Sequence, residues 1–138
     1  MIISAFPGTG KSFYTQQTNS KTVTDSDSSL FNKTEFPENY IQYIKQKINE
    51  NYSIIFVSSH KEVRDALVLN NLEFTLIYPK INLKQEYIRR YIQRGSSESF
   101  IKLLENNWEL WIQELQLQQN CKHIELEANQ YISDVISI

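Results

Sequence analysis

An α/β fold built on a parallel sheet is predicted by three features of this chain. Five short β-favouring runs alternate with segments of helical periodicity. One of those runs, Ser53-Ile54-Ile55-Phe56-Val57-Ser58, is continuously apolar, as a strand covered on both faces must be. Glycine and proline stand between the elements, with all three glycines in turns. Helical crossovers between successive strands then imply right-handed connections in one sheet.

The elements follow in order. Met1-Ile2-Ile3-Ser4-Ala5 has the length of a buried strand, and Lys11 to Gln17 reads as the first helix. Lys21-Thr22-Val23-Thr24-Asp25 is a short second strand, and the polar stretch Ser26 to Phe36 a loop. Pro37 opens a helix to Asn51 with Tyr40, Ile41, Ile44 and Ile48 on one face. After the third strand, Ser59-His60-Lys61-Glu62 has the pattern of a capping box, which starts a helix over about 60–69. Glu73 to Tyr78 is the fourth strand, stopped by Pro79. Asn82 is expected to cap a helix that runs to Arg94 and ends at Gly95 as a left-handed C′ residue. A long helix from about Glu98 to Gln119 repeats Phe100, Leu104, Trp108, Trp111 and Leu115 at spacings that place them in the core. Lys122 to Leu126 is the fifth strand, and Gln130 to Ile136 a closing helical turn.

The chain has 138 residues, one domain by length, and 41% apolar residues give it material for a core. A net charge of −2 argues against a broad electrostatic footprint for nucleic acid. The single cysteine, Cys121, has no internal partner and no Cys/His cluster has zinc spacing, which suits a reducing cytosol. No apolar run approaches the roughly 18 residues of a membrane span. A strand beginning at Met1 leaves no room for a signal peptide, so the expectation is a complete, soluble chain in the cytoplasm, with no membrane partner.

The chemistry is carried first by Ala5-Phe6-Pro7-Gly8-Thr9-Gly10-Lys11-Ser12, a G-x-x-x-x-G-K-[ST] motif with Ala in its first position. A chance match in a chain of this length is on the order of one in a hundred at ordinary residue frequencies. Strand, glycine turn and helix in succession offer backbone N–H groups and a helix N-terminus to phosphate oxygens. The candidate nucleotide-binding residues are Pro7, Gly8, Thr9, Gly10, Lys11, Ser12 and Phe13. Lys11 would meet the β/γ-phosphates of ATP, and Ser12 would place its hydroxyl on Mg²⁺.

Asp25-Ser26-Asp27 comes at the carboxyl end of the second strand, where ligands of open α/β sheets sit. Asp and Ser are also simple turn formers. A functional reading assigns Asp25 to the metal and Asp27 to the proton of an attacking hydroxyl. The end of the third strand, Val57-Ser58-Ser59-His60, lacks an acid, so a Walker-B carboxylate is missing there. His60 is read as structural, and His123 as packing or surface. The helix from Asn82 carries Lys84, Arg89, Arg90 and Arg94, with Arg90 and Arg94 on one face. Such a run is often a solvated face, but guanidinium forks also serve transferring phosphoryl groups. Arg90 and Arg94 are therefore catalytic candidates, with segment 82–99 as a lid and Gly95-Ser96-Ser97 as its hinge.

Together these residues resemble the small P-loop kinases, the group that includes nucleoside-monophosphate, shikimate and gluconate kinases. The resemblance implies a three-layer fold with helices on both faces of a five-stranded parallel sheet in the order 2-3-1-4-5, and an arginine-bearing lid between the fourth and fifth strands. The D-x-D is similar to the shikimate and gluconate kinase arrangement. The chain also resembles short nucleotide-kinase-like proteins of bacteriophages, which implies a host-cell cytoplasmic location, and the kinase half of phage polynucleotide kinase, where a P-G-x-G-K-S loop is followed by an Asp base. The implied activity is ATP- and Mg²⁺-dependent transfer of a phosphoryl group to a small acceptor, first a nucleoside or nucleotide. A 5′-hydroxyl or modified base of DNA or RNA is the alternative acceptor, and a non-catalytic nucleotide-binding regulator the alternative class. The lid is shorter than in adenylate kinases, and the acceptor side is a single helix, 37–51.

Overall fold

The computed structural model describes residues 1–17, 23–25 and 31–136. Five strands form one sheet in the order β2-β3-β1-β4-β5, and its four neighbouring pairs are all parallel. The strands are β1 (Ile2–Ala5), β2 (Val23–Asp25), β3 (Ile54–Ser58), β4 (Phe74–Pro79) and β5 (Lys122–Leu126). The helices are α1 (Lys11–Gln17), α2 (Glu38–Asn49), α3 (Lys61–Leu69), α4 (Lys84–Gln93), α5 (Glu98–Gln116) and α6 (Ile132–Val135). Lys21, Thr22, Asp27 and the first half of the loop expected over 26–36 lie outside the described residues.

The apolar runs explain the layering. Successive side chains of a strand point to opposite faces, so a strand with both faces covered is apolar throughout. Ile55 and Val57 of β3 join a core with Tyr40, Ile41 and Ile44 of α2, Val63 and Leu67 of α3, Tyr87 and Tyr91 of α4, and Trp108 of α5. Ile54 and Phe56 face the other way, onto Tyr14 of α1 and Ile132 of α6. β5 is an edge strand whose Lys122, His123 and Glu125 stay exposed, a pattern that blunts pairing with another chain.

Several boundaries differ from the sequence reading, and side-chain bonds at the helix starts account for two of them. The cap of α3 is His60 with no side-chain bond, instead of a box begun by Ser59. Ser59 stays outside the helix, where its carbonyl accepts from Arg64 Nε at 2.8 Å. Asn82 caps nothing: it lies in a 3₁₀ turn, Ile81–Leu83, and α4 starts after Leu83. That turn is held because Trp108 Nε1 donates to the Ile81 carbonyl at 2.7 Å. The expected C-terminal signal of α4 is present, with Gly95 at φ +80°. Its N–H donates to Ile92 O, and that of Ser96 to Tyr91 O, a Schellman pair. α5 begins where predicted, its Ser97 hydroxyl accepting from Phe100 N, but it stops at Gln116. Ile48, expected on the buried face of α2, is largely exposed. The last helix is shorter than 130–136, and Asp134 caps it by accepting from Tyr131 N at 2.8 Å. Among the described residues no helix is long and apolar enough to cross a membrane.

Candidate functional site

β1 delivers the chain to the carboxyl edge of the sheet, and the glycine motif turns there. Ala5, the departure from the motif's first Gly, is only 2% exposed, and its methyl packs in the α1 core. Thr9 is buried beneath the turn, and its hydroxyl donates to Phe6 O at 2.7 Å, closing the loop from inside. Gly8 and Gly10 take φ of +86° and +96°, a region that side chains with a Cβ rarely adopt. A Cβ on Gly8 would also stand 2.8 Å from Tyr91 Cε1, and one on Gly10 2.9 Å from Tyr131 Cδ1.

The loop's carbonyls are all engaged by the protein. Pro7 O accepts from Tyr91 Oη at 2.9 Å, Gly8 O from Arg90 Nη1 at 2.8 Å, and Thr9 O from Ile132 N at 2.9 Å. Gly10 O takes the first turn of α1 from Tyr14 N. The N–H groups of Gly8, Thr9, Gly10, Lys11 and Ser12 donate to no acceptor among the described residues. Buried or half-buried amides without partners are unfavourable, and a row of them at a helix start is a donor set for an anion.

A cleft of about 770 Å³ opens over the loop. It brings together Pro7, Gly8, Gly10, Lys11, Ser12 and Phe13 from the motif with Asp25, Arg90 and Arg94 from elsewhere in the chain. Thr9 is buried below it, and Asp27 lies outside the described residues. Lys11 Nζ stands 3.5 Å from Asp25 Oδ1, each side chain 29% exposed, so the pair is open to a ligand. β2 makes this contact: Asp25 pairs in register with Phe56, beside the end of β3. At that end, which carries no acid, the Ser58 hydroxyl is buried and has no hydrogen-bond partner among the described residues. Among the described residues no three His, Cys, Asp or Glu side chains cluster as for a metal. The Ser12 hydroxyl and Asp25 carboxylate fit a Mg²⁺ that takes its remaining ligands from phosphate and water.

The two candidate arginines have different surroundings. Arg90, 9% exposed, is held by four groups besides Gly8 O: Nη2 donates to Glu86 Oε2 at 2.7 Å and to Gln130 O at 2.9 Å, and the guanidinium lies 4.2 Å from the Tyr87 ring and 3.9 Å from the Tyr131 ring. Arg94 is exposed, with Nε on Ser96 Oγ at 3.0 Å and its guanidinium 5.1 Å from the Tyr91 ring. The lid expected over 82–99 is also not a free flap along its length. Tyr87, Ile88 and Tyr91 of α4 are buried in the main core, and burial pushes the phenols of Tyr87 and Tyr91 well above the ordinary tyrosine value. Only the segment after Gln93 stands outside that packing. Arg89 is exposed, and His60 caps α3 away from the Lys11–Asp25 pair. His123 sits on β5, where it bonds Tyr78 Oη and Gln118 O.

Sequence reasoning gave no role to Glu86, Tyr87, Tyr91 or Tyr131. The first three had a signal: Glu86–Arg90 and Tyr87–Tyr91 are adjacent i,i+4 pairs, so one helix face carries both the ion pair and the rings. Tyr131 had none. No protein-family model, curated protein or solved structure matches this chain significantly.

Proposed function

We propose that this chain is an ATP- and Mg²⁺-dependent phosphotransferase of the small P-loop kinase type, acting on a small acceptor of nucleoside or nucleotide kind. The observation that carries the reading is the glycine loop, whose four carbonyls from Pro7 to Gly10 are tied to protein while its amides face no acceptor among the described residues, with Lys11 at the helix start. In the proposed reaction the acceptor oxygen bonds to the γ-phosphorus, the bond from that phosphorus to the β–γ bridging oxygen breaks, and ADP leaves with the electron pair. The acceptor proton passes to a carboxylate, assigned to Asp27 on sequence alone. Lys11 and the loop amides balance charge on the phosphates. When bound, Mg²⁺ neutralises developing charge on the β- and γ-oxygens. Asp25, 3.5 Å from Lys11, orients that ammonium and serves the metal side.

Purified protein incubated with γ-labelled ATP, Mg²⁺ and a panel of nucleosides, nucleotides and oligonucleotides tests this. Label in a small acceptor supports it. Label only in oligonucleotides moves the acceptor to nucleic acid. ATP binding with no transfer to any acceptor makes the chain a nucleotide-binding regulator.

A further inference from the structure

A second cleft, of about 360 Å³, lies behind the first, between the start of α3 and α5. Pro7 and Phe100 line both clefts, so the two share a wall at the strand end of the glycine loop. Its volume is in the range of small-ligand pockets, about 300–1,000 Å³. Its lining is mainly apolar, with Phe100 and Trp111 as the ring-bearing walls and Leu103 at the rim.

The charged side chains lining this cleft, Arg64, Glu114 and Lys61, are paired, while His60 stands exposed at its edge. Arg64 is 3% exposed and donates through Nε to Ser59 O at 2.8 Å, Nη1 to Gln118 Oε1 at 2.6 Å, and Nη2 to Glu114 Oε1 at 2.7 Å. Glu114 thus neutralises it, while two of the five N–H groups of a guanidinium stay unused. Lys61 is neutralised by Asp65 at 2.6 Å. A phosphate entering here would compete with both carboxylates for their cations. A neutral ring bearing a carbonyl needs only the spare guanidinium donors and the apolar walls.

We propose that this second cleft is the acceptor site, that it takes the base of an uncharged nucleoside, and that the nucleoside's hydroxymethyl group reaches past Pro7 to the glycine-loop cleft. The proposal rests on the phosphotransferase reading and narrows it: the acceptor is the nucleoside and not its monophosphate. Phe100 and Trp111 contribute stacking area, and Arg64 reads a base carbonyl.

Tryptophan fluorescence tests it directly, because Trp111 lines the cleft while Trp108 is fully buried with its Nε1 on Ile81 O. The protein is titrated with adenosine, guanosine, cytidine and thymidine, each beside its 5′-monophosphate, with ribose as a control that lacks the base. Leu103→Arg is the cleft variant, since Leu103 lines the cleft, is 50% exposed and lies outside the buried core. A fluorescent ATP analogue is bound in a separate titration. At least one nucleoside should quench saturably, with its monophosphate and the Leu103→Arg protein each about tenfold weaker or more, a difference of about 1.4 kcal/mol. ATP-analogue binding by Leu103→Arg should match wild type. Absence of saturable quenching by every nucleoside, equal binding of the monophosphate, or full nucleoside binding by Leu103→Arg each overturns the acceptor assignment alone. Failure of the ATP analogue to bind wild-type protein overturns the phosphotransferase reading, and the acceptor role with it.

Discussion

Arg90 donates through Nη1 to the carbonyl oxygen of Gly8 at 2.8 Å, joining the middle of α4 to the glycine loop. Its Nη2 continues the link to Gln130 O, so the loop, α4 and the segment before α6 are held by one guanidinium between two tyrosine rings. Such a residue positions the loop. Arg90→Lys keeps the charge but loses the fork, and should destabilise the protein by about 1.5–3 kcal/mol, the scale of hydrogen bonds to a charged group. Urea unfolding should show a lower midpoint with the same slope, and ATP binding should weaken alongside. A variant with an unchanged midpoint and a large loss of turnover would instead make Arg90 a phosphate contact.

Three glycines separate strain from collision. Gly8, Gly10 and Gly95 all have positive φ, but a Cβ on Gly95 meets nothing within 4 Å, whereas on Gly8 it meets Tyr91 and on Gly10 Tyr131. Gly95→Ala should cost about 1–2 kcal/mol from backbone conformation alone and leave ATP binding intact. Gly8→Ala should cost more and weaken ATP binding, because the ring that must move also holds Pro7 O. Equal stability losses at the two sites would remove the steric part of this explanation.

Asp27→Asn should lower turnover far more than it weakens ATP binding, as befits a proton acceptor, while Asp25→Asn should raise the Mg²⁺ concentration needed for half-maximal rate. Steady-state kinetics with both variants checks this. If kcat is unchanged in both, the D-x-D is turn chemistry only. An acceptor that is itself a phosphate needs no base, so a small Asp27 effect would also count against a nucleoside acceptor.

Closure, if arginines meet phosphate, falls on the end of α4. Arg94 is exposed, and among the described residues it donates a hydrogen bond to Ser96 and lies beside the Tyr91 and Phe100 rings. Arg94→Lys should cut kcat while changing ATP affinity less, since the contact would be made mainly in the transition state. Hydrogen exchange should find amides of 84–93 already slow, because Tyr87, Ile88 and Tyr91 anchor that helix. Added protection with ATP, Mg²⁺ and acceptor should be confined to about 94–99. Fast exchange throughout α4 without ligand would restore the larger lid.

Much of this fold was legible because the information was local. Ile54 to Val57 had to be a strand covered on both faces, and Gly95 had to end a helix. The sheet order came from family resemblance, since periodicity carries no pairing information, and the order observed agrees with it. The caps were misplaced at Asn82 and Ser59 because a side chain bonds a carbonyl at each helix start: Trp108 of α5 reaches Ile81 O across the fold, while Arg64 reaches Ser59 O from within α3 itself. At the site, the motif gave the loop and its conformations. It could not give the Arg90–Tyr131 stack, because nothing near Tyr131 in sequence indicates that it will lie on α4.

The most direct measurement is the rate of label transfer from γ-labelled ATP by wild-type protein and by Lys11→Ala, with urea midpoints measured on both. Lys11 is partly exposed at the start of α1, so its removal should leave the midpoint unchanged. Transfer should fall by roughly 10²-fold or more, the scale of losing one preorganised charge at the transferring group. Near wild-type transfer by Lys11→Ala, or no transfer by the wild-type protein to any acceptor, would contradict the assignment of this loop to phosphoryl transfer.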